Sequence, residues 1–109
     1  MVVETSTETT IRDMADIIAR RFHPLKIYLF GSFATGKATR NSDVDLLVVM
    51  PDGTNPHEEA IRIGAALARI PLPKDVVVTT PVEIKRRGHV VTSALRSALR
   101  EGRLLYDRP

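Results

Sequence analysis

Two aspartates separated by one residue, Asp43 and Asp45, are spaced for joint chemistry. They precede an apolar run at residues 46–50 that predicts a buried strand. Because strand side chains alternate, both carboxylates project from one face while Val44 points to the other. Adjacent carboxylates repel each other, and a hard divalent cation such as Mg2+ relieves that repulsion through oxygen ligands. The spacing therefore predicts a cation site that can bridge to phosphates.

A second group, Gly31 and Ser32, directly follows another apolar run at residues 27–30, which also predicts a strand. Gly31 leaves the backbone open to close approach, and Ser32 adds a hydroxyl. Residues 32–35 can begin a short helix whose free N–H groups attract an anion. Together these features predict a phosphate-binding turn.

Three further residues extend the candidate site. Lys37 and Arg40 lie in the loop between the two strands, where they can neutralise a triphosphate or simply solvate the loop. Asp75 begins a third apolar run, residues 76–78, and supplies a third carboxylate, unless it serves only as a turn residue. Three acids can hold two cations about 3.5–4 Å apart and thereby activate an attacking hydroxyl.

The pattern of strand, Gly-Ser, ten residues and Asp-Val-Asp resembles the minimal nucleotidyltransferases of the DNA polymerase beta-like superfamily. Gly-Ser alone is usually a turn, and Asp-x-Asp alone can cap a strand, but the pair at this spacing is specific. The run Thr-Thr-Pro-Val-Glu after the third strand and the ending Leu-Leu-Tyr are similar to the family as well. The resemblance implies an α/β fold, a small mixed sheet with helices packed on it. The length predicts one domain over residues 1–109, and the polar start with little pattern predicts that residues 1–8 are disordered.

The resemblance also implies an activity. A nucleoside monophosphate, AMP from ATP, would move to an acceptor hydroxyl with two Mg2+ ions as cofactor. Gly31 and Ser32 would hold the triphosphate, Asp43 and Asp45 would hold both metals, and Asp75 would complete the metal site that activates the acceptor. Minimal members are commonly paired with a small helical HEPN-family toxin, and they act as antitoxins by adding AMP to a toxin tyrosine. The alternative is a protein that has lost catalysis and neutralises its partner by contact alone.

Composition narrows the classes of partner. The 109 residues carry a net charge of +3 with 43% hydrophobic and 5% aromatic residues and no cysteine. The absence of cysteine excludes disulfides and thiolate metal sites and fits a cytoplasmic protein. No apolar stretch approaches the roughly 20 residues of a membrane span, so no membrane partner is expected. A basic chain suits a nucleoside triphosphate; nucleic acid is disfavoured, because aromatic residues are few and no binding motif occurs.

Local signals place the remaining elements. A capping box at Thr10-x-x-Asp13 predicts the start of a helix that ends before Pro24. Asn55 as N-cap and Pro56 at the first position predict a helix that Pro71 stops. A second capping box, Thr80-x-x-Glu83, opens a third helix. Apolar periodicity over residues 90–99 predicts a fourth helix, followed by a short strand at 104–106.

Overall fold

The structure, a computed structural model, describes residues 5–39, 41–87 and 100–109 of the chain. The elements in these residues alternate between helices and strands. In chain order they are α1 (Thr5–Phe22), β1 (Lys26–Phe30), α2 (Ser32–Thr35), β2 (Val44–Val49), α3 (Pro56–Ala66), β3 (Lys74–Thr79), α4 (Pro81–Arg87) and β4 (Arg103–Asp107).

The four strands form one mixed sheet in the order β3-β2-β1-β4. β1 pairs antiparallel with β2 and with β4, whereas β2 and β3 are parallel and are joined through α3. A parallel pair needs such a crossover, because its strands start at the same edge of the sheet. The end of β1 and the starts of β2 and β3 therefore meet at one edge. The predicted α/β fold with a small mixed sheet is confirmed.

The core lies on one face of the sheet, called here the helix-covered face, where α1 and α3 pack. Its fully buried members are aliphatic because the chain has few aromatic residues. They include Ile11, Met14 and Ile18 of α1, Ile63 of α3, Leu67, and Ile27, Leu29, Val44, Leu46 and Val48 of the strands. On the opposite face a smaller cluster forms around Phe30 and Leu47, with Tyr28 and Val77 against it.

Two predicted helix starts are confirmed by their caps. The Asn55 side chain accepts a hydrogen bond from the Glu58 N–H at 3.1 Å, and Pro56 is the first residue of α3. The Thr80 hydroxyl accepts from the Glu83 N–H at 3.3 Å at the start of α4. Such side-chain caps satisfy backbone donors that have no partner within the helix.

The predicted start of the first helix is wrong. α1 begins at Thr5, so Thr10 lies inside the helix and does not cap it, and Thr5–Glu8 fall within the stretch predicted to be disordered. The part of α1 that precedes Thr10 makes a contact with β4, in which the Arg103 guanidinium group donates to the Glu8 carboxylate at 2.9 Å. Because these two residues are 95 positions apart, no local sequence pattern could indicate this contact.

Two sequence predictions fall outside the described residues, namely the helix over residues 90–99 and the position of Arg40. The predicted terminal strand is present as β4. Among the described helices, none combines the length and the apolar character required to cross a bilayer.

Candidate active site

The three predicted carboxylates lie at the edge of the sheet where β2 and β3 begin; we call Asp43, Asp45 and Asp75 the acid edge. Asp45 is the second residue of β2, and Asp43 immediately precedes that strand. In the parallel register Asp45 lies opposite Asp75. Neighbouring residues in register share a face of a sheet, so both side chains project from the face opposite α1 and α3.

The electrostatics of Asp45 reflect this crowding. Partial burial raises the pKa of the Asp45 carboxyl above its ordinary value of 3.8, and the charges of Asp75 and then Asp43 raise it further. Desolvation and like charge both disfavour the ionised form. A cation placed among these groups would reverse both effects, because it would supply the opposite charge that the edge lacks.

No basic side chain balances the acid edge within the described part of the chain. None of the ion pairs recorded there involves Asp43, Asp45 or Asp75. Lys74, next to Asp75 in sequence, instead donates from Nζ to the Ile70 carbonyl oxygen at 2.8 Å. The negative charge at this edge is thus available to an external cation.

Gly31 connects the turn after β1 to the acid edge. Its backbone has φ 73° and ψ −155°, a combination that only glycine adopts without strain. A Cβ built on Gly31 would overlap the Oδ2 atom of Asp45. Phe30, which precedes it, is paired with Asp45 in the β1–β2 register. Glycine at this position therefore makes room for the Asp45 carboxylate as well as for the turn.

The short helix α2 follows Gly31 as predicted. The Gly31 carbonyl accepts from the Ala34 and Thr35 N–H groups at 3.1 and 3.2 Å, whereas the first N–H groups of a helix have no partner within it. The Ser32 hydroxyl makes no hydrogen bond to the described residues. The start of α2 thus lies beside Asp45, and its free backbone N–H groups and the Ser32 hydroxyl are available to an anion.

Of the two basic residues predicted for the site, the structure describes Lys37 but not Arg40. The Lys37 side chain is exposed in the loop after α2, and its backbone N–H donates to the Ser32 carbonyl at 2.9 Å. That bond closes the turn of α2, and the assignment of the Lys37 ammonium group to the triphosphate stays a prediction. Arg40 lies outside the described residues, so its assignment stays a prediction.

The donor set fits a divalent cation in chemistry but not yet in geometry. Its members are carboxylate oxygens, the ligands that Mg2+ prefers. In the present side-chain positions, however, the residues that the structure describes contain no group of three His, Cys, Asp or Glu arranged to hold a metal ion. Asp43 and Asp75 are exposed, so both can turn toward Asp45 without loss of packing.

Sequence reasoning missed one functional feature of this site, the contact between Gly31 and Asp45. The signal for it is the β1–β2 register, which places Phe30 opposite Asp45 and so brings Gly31 beside it. That register depends on pairing across the loop and is not contained in either apolar run alone. The register of Asp45 with Asp75 is of the same kind.

Comparison with protein families gives a match to the family described as nucleotidyltransferase domain, over residues 11–105. The matched range includes the acid edge, Gly31 and Ser32. No curated protein matches the sequence significantly.

Solved structures with the same fold were also found. A protein of Sulfolobus solfataricus described as a nucleotidyltransferase is 22% identical with a TM-score of 0.63, covering 98% of this chain and 91% of its own. A toxin-antitoxin structure with AMP-PNP is 24% identical with a TM-score of 0.56, covering 89% and 73%. A tri-AMPylated Shewanella oneidensis HEPN toxin in complex with MNT antitoxin gives 18% identity and a TM-score of 0.53, covering 93% and 72%. At these identities the likeness is one of fold.

Proposed function

The chain belongs to the nucleotidyltransferase domain family, and we propose that it transfers AMP from ATP to an acceptor hydroxyl with Mg2+ as cofactor. The acid edge is the observation that carries this proposal. It gathers three carboxylates in electrostatic contact, with no basic partner among the described residues, next to a Gly-Ser turn. Carboxylates beside backbone N–H donors are complementary to a divalent cation that is bound to phosphate oxygens.

Each residue has a defined task in the reaction. Asp43 and Asp45 would hold the metal ions, and Asp75 would complete their ligand set on the acceptor side. Bound there, Mg2+ would neutralise charge on the triphosphate and favour ionisation of the acceptor hydroxyl. The Ser32 hydroxyl and the backbone N–H groups of α2 would donate to phosphate oxygens. Gly31 would keep the Asp45 carboxylate in place.

The chemical step itself is a substitution at the α-phosphorus. The acceptor oxygen forms a bond to that phosphorus while the bond to the bridging oxygen breaks, and pyrophosphate leaves. The hydroxyl proton passes to Asp75 or to water. The protein contributes mainly position and charge, as in phosphoryl transfer generally.

For the acceptor, we propose a tyrosine of a small helical HEPN-type partner, so that the chain acts as its antitoxin. This rests on the family resemblance of the sequence and on neighbours of the same fold that include MNT antitoxin in complex with a tri-AMPylated HEPN toxin. Orientation of two reactants can contribute about 7–11 kcal/mol to lowering a barrier. A docked partner would supply that orientation by presenting its own hydroxyl beside Asp75.

Intact-mass spectrometry tests this function. The purified chain with ATP and Mg2+ should show little turnover by itself, whereas adding the proposed HEPN-type partner should increase that partner's mass by one or more AMP groups. Asp43→Asn should abolish the modification. Asp16→Asn is the matched control, because it makes the same change at an exposed position of α1.

The outcome also separates this proposal from its main alternative. An unmodified partner that still forms a stable complex and is still neutralised would show that the chain acts by contact alone. Equal modification by wild type and Asp43→Asn would instead contradict the assignment of the acid edge.

A further inference from the structure

A groove on the outer surface of the helical layer carries a cluster of cations that the proposed reaction does not use. It has a volume of about 670 Å³ and is lined by Arg21, Arg62, Ala65, Ala66 and Arg69. We call it the arginine groove. α1 and α3 pack on the helix-covered face, whereas the acid edge projects from the other, so the two sites lie on opposite sides of the sheet.

Arg21 is distant in sequence from Arg62 and Arg69, and the packing of α1 beside α3 brings the three arginines to one groove. Arg21 lies in the last turn of α1, where the helix dipole favours a cation. Arg62 lies on α3, and Arg69 lies in the turn that follows the end of that helix at Ala66. Ala65 and Ala66, which lie between Arg62 and Arg69 in sequence, have small side chains. A bulky ligand can therefore approach the guanidinium groups.

The positive charge in the groove is largely uncompensated. Arg21 and Arg69 make no ion pair with the described residues. Arg62 lies 3.6 Å from Glu59, whose side chain is 13% exposed, but the Arg62 side chain is itself 73% exposed, so the pair compensates its charge only in part. Arg69 also borders a second depression of about 450 Å³, to which Arg20 contributes a further cation and Asp13 the one carboxylate of that lining.

We propose that the arginine groove binds the phosphodiester backbone of a nucleic acid, without reading its sequence. A planar guanidinium group can form bidentate hydrogen bonds to phosphate oxygens. Three such groups along one groove suit a polymer with regularly repeated phosphates. The net charge of +3 adds long-range attraction.

The chemistry of the lining favours this ligand over other anionic partners. A protein interface needs an apolar or aromatic centre, and insertion into a membrane needs exposed apolar side chains. Among the described residues, the apolar side chains that line the groove are those of Ala65 and Ala66 alone. Aromatic residues are few in the sequence, and none of the described residues that line the groove is aromatic. Bases therefore cannot stack at this site, but contacts to the phosphate backbone remain possible.

Fluorescence anisotropy with labelled RNA and DNA strands of about 20 nucleotides tests the proposal, with EDTA present so that the acid edge cannot bind through metal. We expect weak, salt-sensitive binding by the full chain. Three phosphate contacts predict an affinity loss of roughly 20- to 40-fold between about 50 and 200 mM salt. Similar affinities would indicate that either nucleic acid serves as ligand, and a preference would identify which one does.

The double variant Arg62→Gln/Arg69→Gln should weaken binding about tenfold or more at low salt, and should reduce the salt dependence to that of about one contact. The double variant Arg12→Gln/Lys85→Gln removes equal charge from exposed positions outside the groove and should bind nearly as wild type. Thermal melting confirms that each variant is folded. If Arg62→Gln/Arg69→Gln does not fold, Arg21→Gln provides a second test of the groove.

Several results would overturn the proposal. These are equal losses in the two double variants, no binding of either strand by wild type at low salt, and loss of binding in Asp43→Asn. Binding to phosphatidylserine vesicles without binding to either strand would assign the groove to a membrane surface instead.

Discussion

The two faces of β2 differ in what they carry. On the helix-covered face, Val44, Leu46 and Val48 are fully buried. On the other face, the first residue that the strand carries is the partly exposed Asp45. The first face is neutral and closely packed. The second places a carboxylate beside two others and raises its pKa. One strand thus stabilises the fold with its apolar residues, including Leu47 on the second face, and carries a charge conflict at Asp45 alone. We therefore expect stability and ligand binding to be separable at single positions of β2.

The largest expected difference in stability between the two faces is that between variants of two consecutive residues, Asp45 and Leu46. Leu46→Ala should lower the free energy of unfolding by about 2–5 kcal/mol, because it leaves a cavity in the core. Asp45→Asn should change it by far less, or should raise it, because it removes a like charge from the acid edge. Urea denaturation of both variants measures the difference. Similar destabilisation by both would show that Asp45 serves the fold and not a ligand.

Gly31 connects the two roles and gives the next largest effect. Gly31→Ala should cost about 1–3 kcal/mol of stability, because alanine cannot adopt the backbone angles without strain and its Cβ overlaps Asp45. It should also weaken binding of Mg2+ with ATP. Gly36→Ala is the matched control, since Gly36 also has a positive φ, 78°, but a Cβ there would meet nothing within 4 Å. If both variants lose nucleotide affinity equally, the Gly31–Asp45 contact has no functional role.

The smallest effect is a pH dependence of stability in the absence of metal. Because the pKa of Asp45 is raised in the folded chain, that state binds a proton more tightly than the unfolded chain. The free energy of unfolding should therefore fall as pH rises from the ordinary value of 3.8 through the raised pKa. Asp45→Asn should lack this component, so its stability relative to wild type should rise over that window. Denaturation in EDTA at several pH values measures this, and a constant difference would contradict it.

Much of the molecule could be predicted from short patterns. The apolar runs indicated β1, β2 and β3, and the caps at Asn55 and Thr80 fixed the starts of α3 and α4, because these signals depend only on neighbouring residues. The candidate acids were found for the same reason.

What could not be predicted depends on long-range packing. The pairing of Asp45 with Asp75 and the contact of Gly31 with Asp45 require strand registers. The early start of α1, where Glu8 meets Arg103, and the arginine groove between α1 and α3 require helices and strands to be docked. Local residue types carry no information on any of these contacts.

Thermal melting with Mg2+ and a non-hydrolysable ATP analogue tests most directly the claim that the acid edge is a metal–nucleotide site. A ligand at about 100 times its Kd stabilises the folded state by about 2.7 kcal/mol, which in a domain of this size raises Tm by roughly 10 °C or more. We expect this shift in wild type and in Asp16→Asn, and we expect Asp43→Asn to lose most of it. An equal shift in wild type and Asp43→Asn would contradict the account.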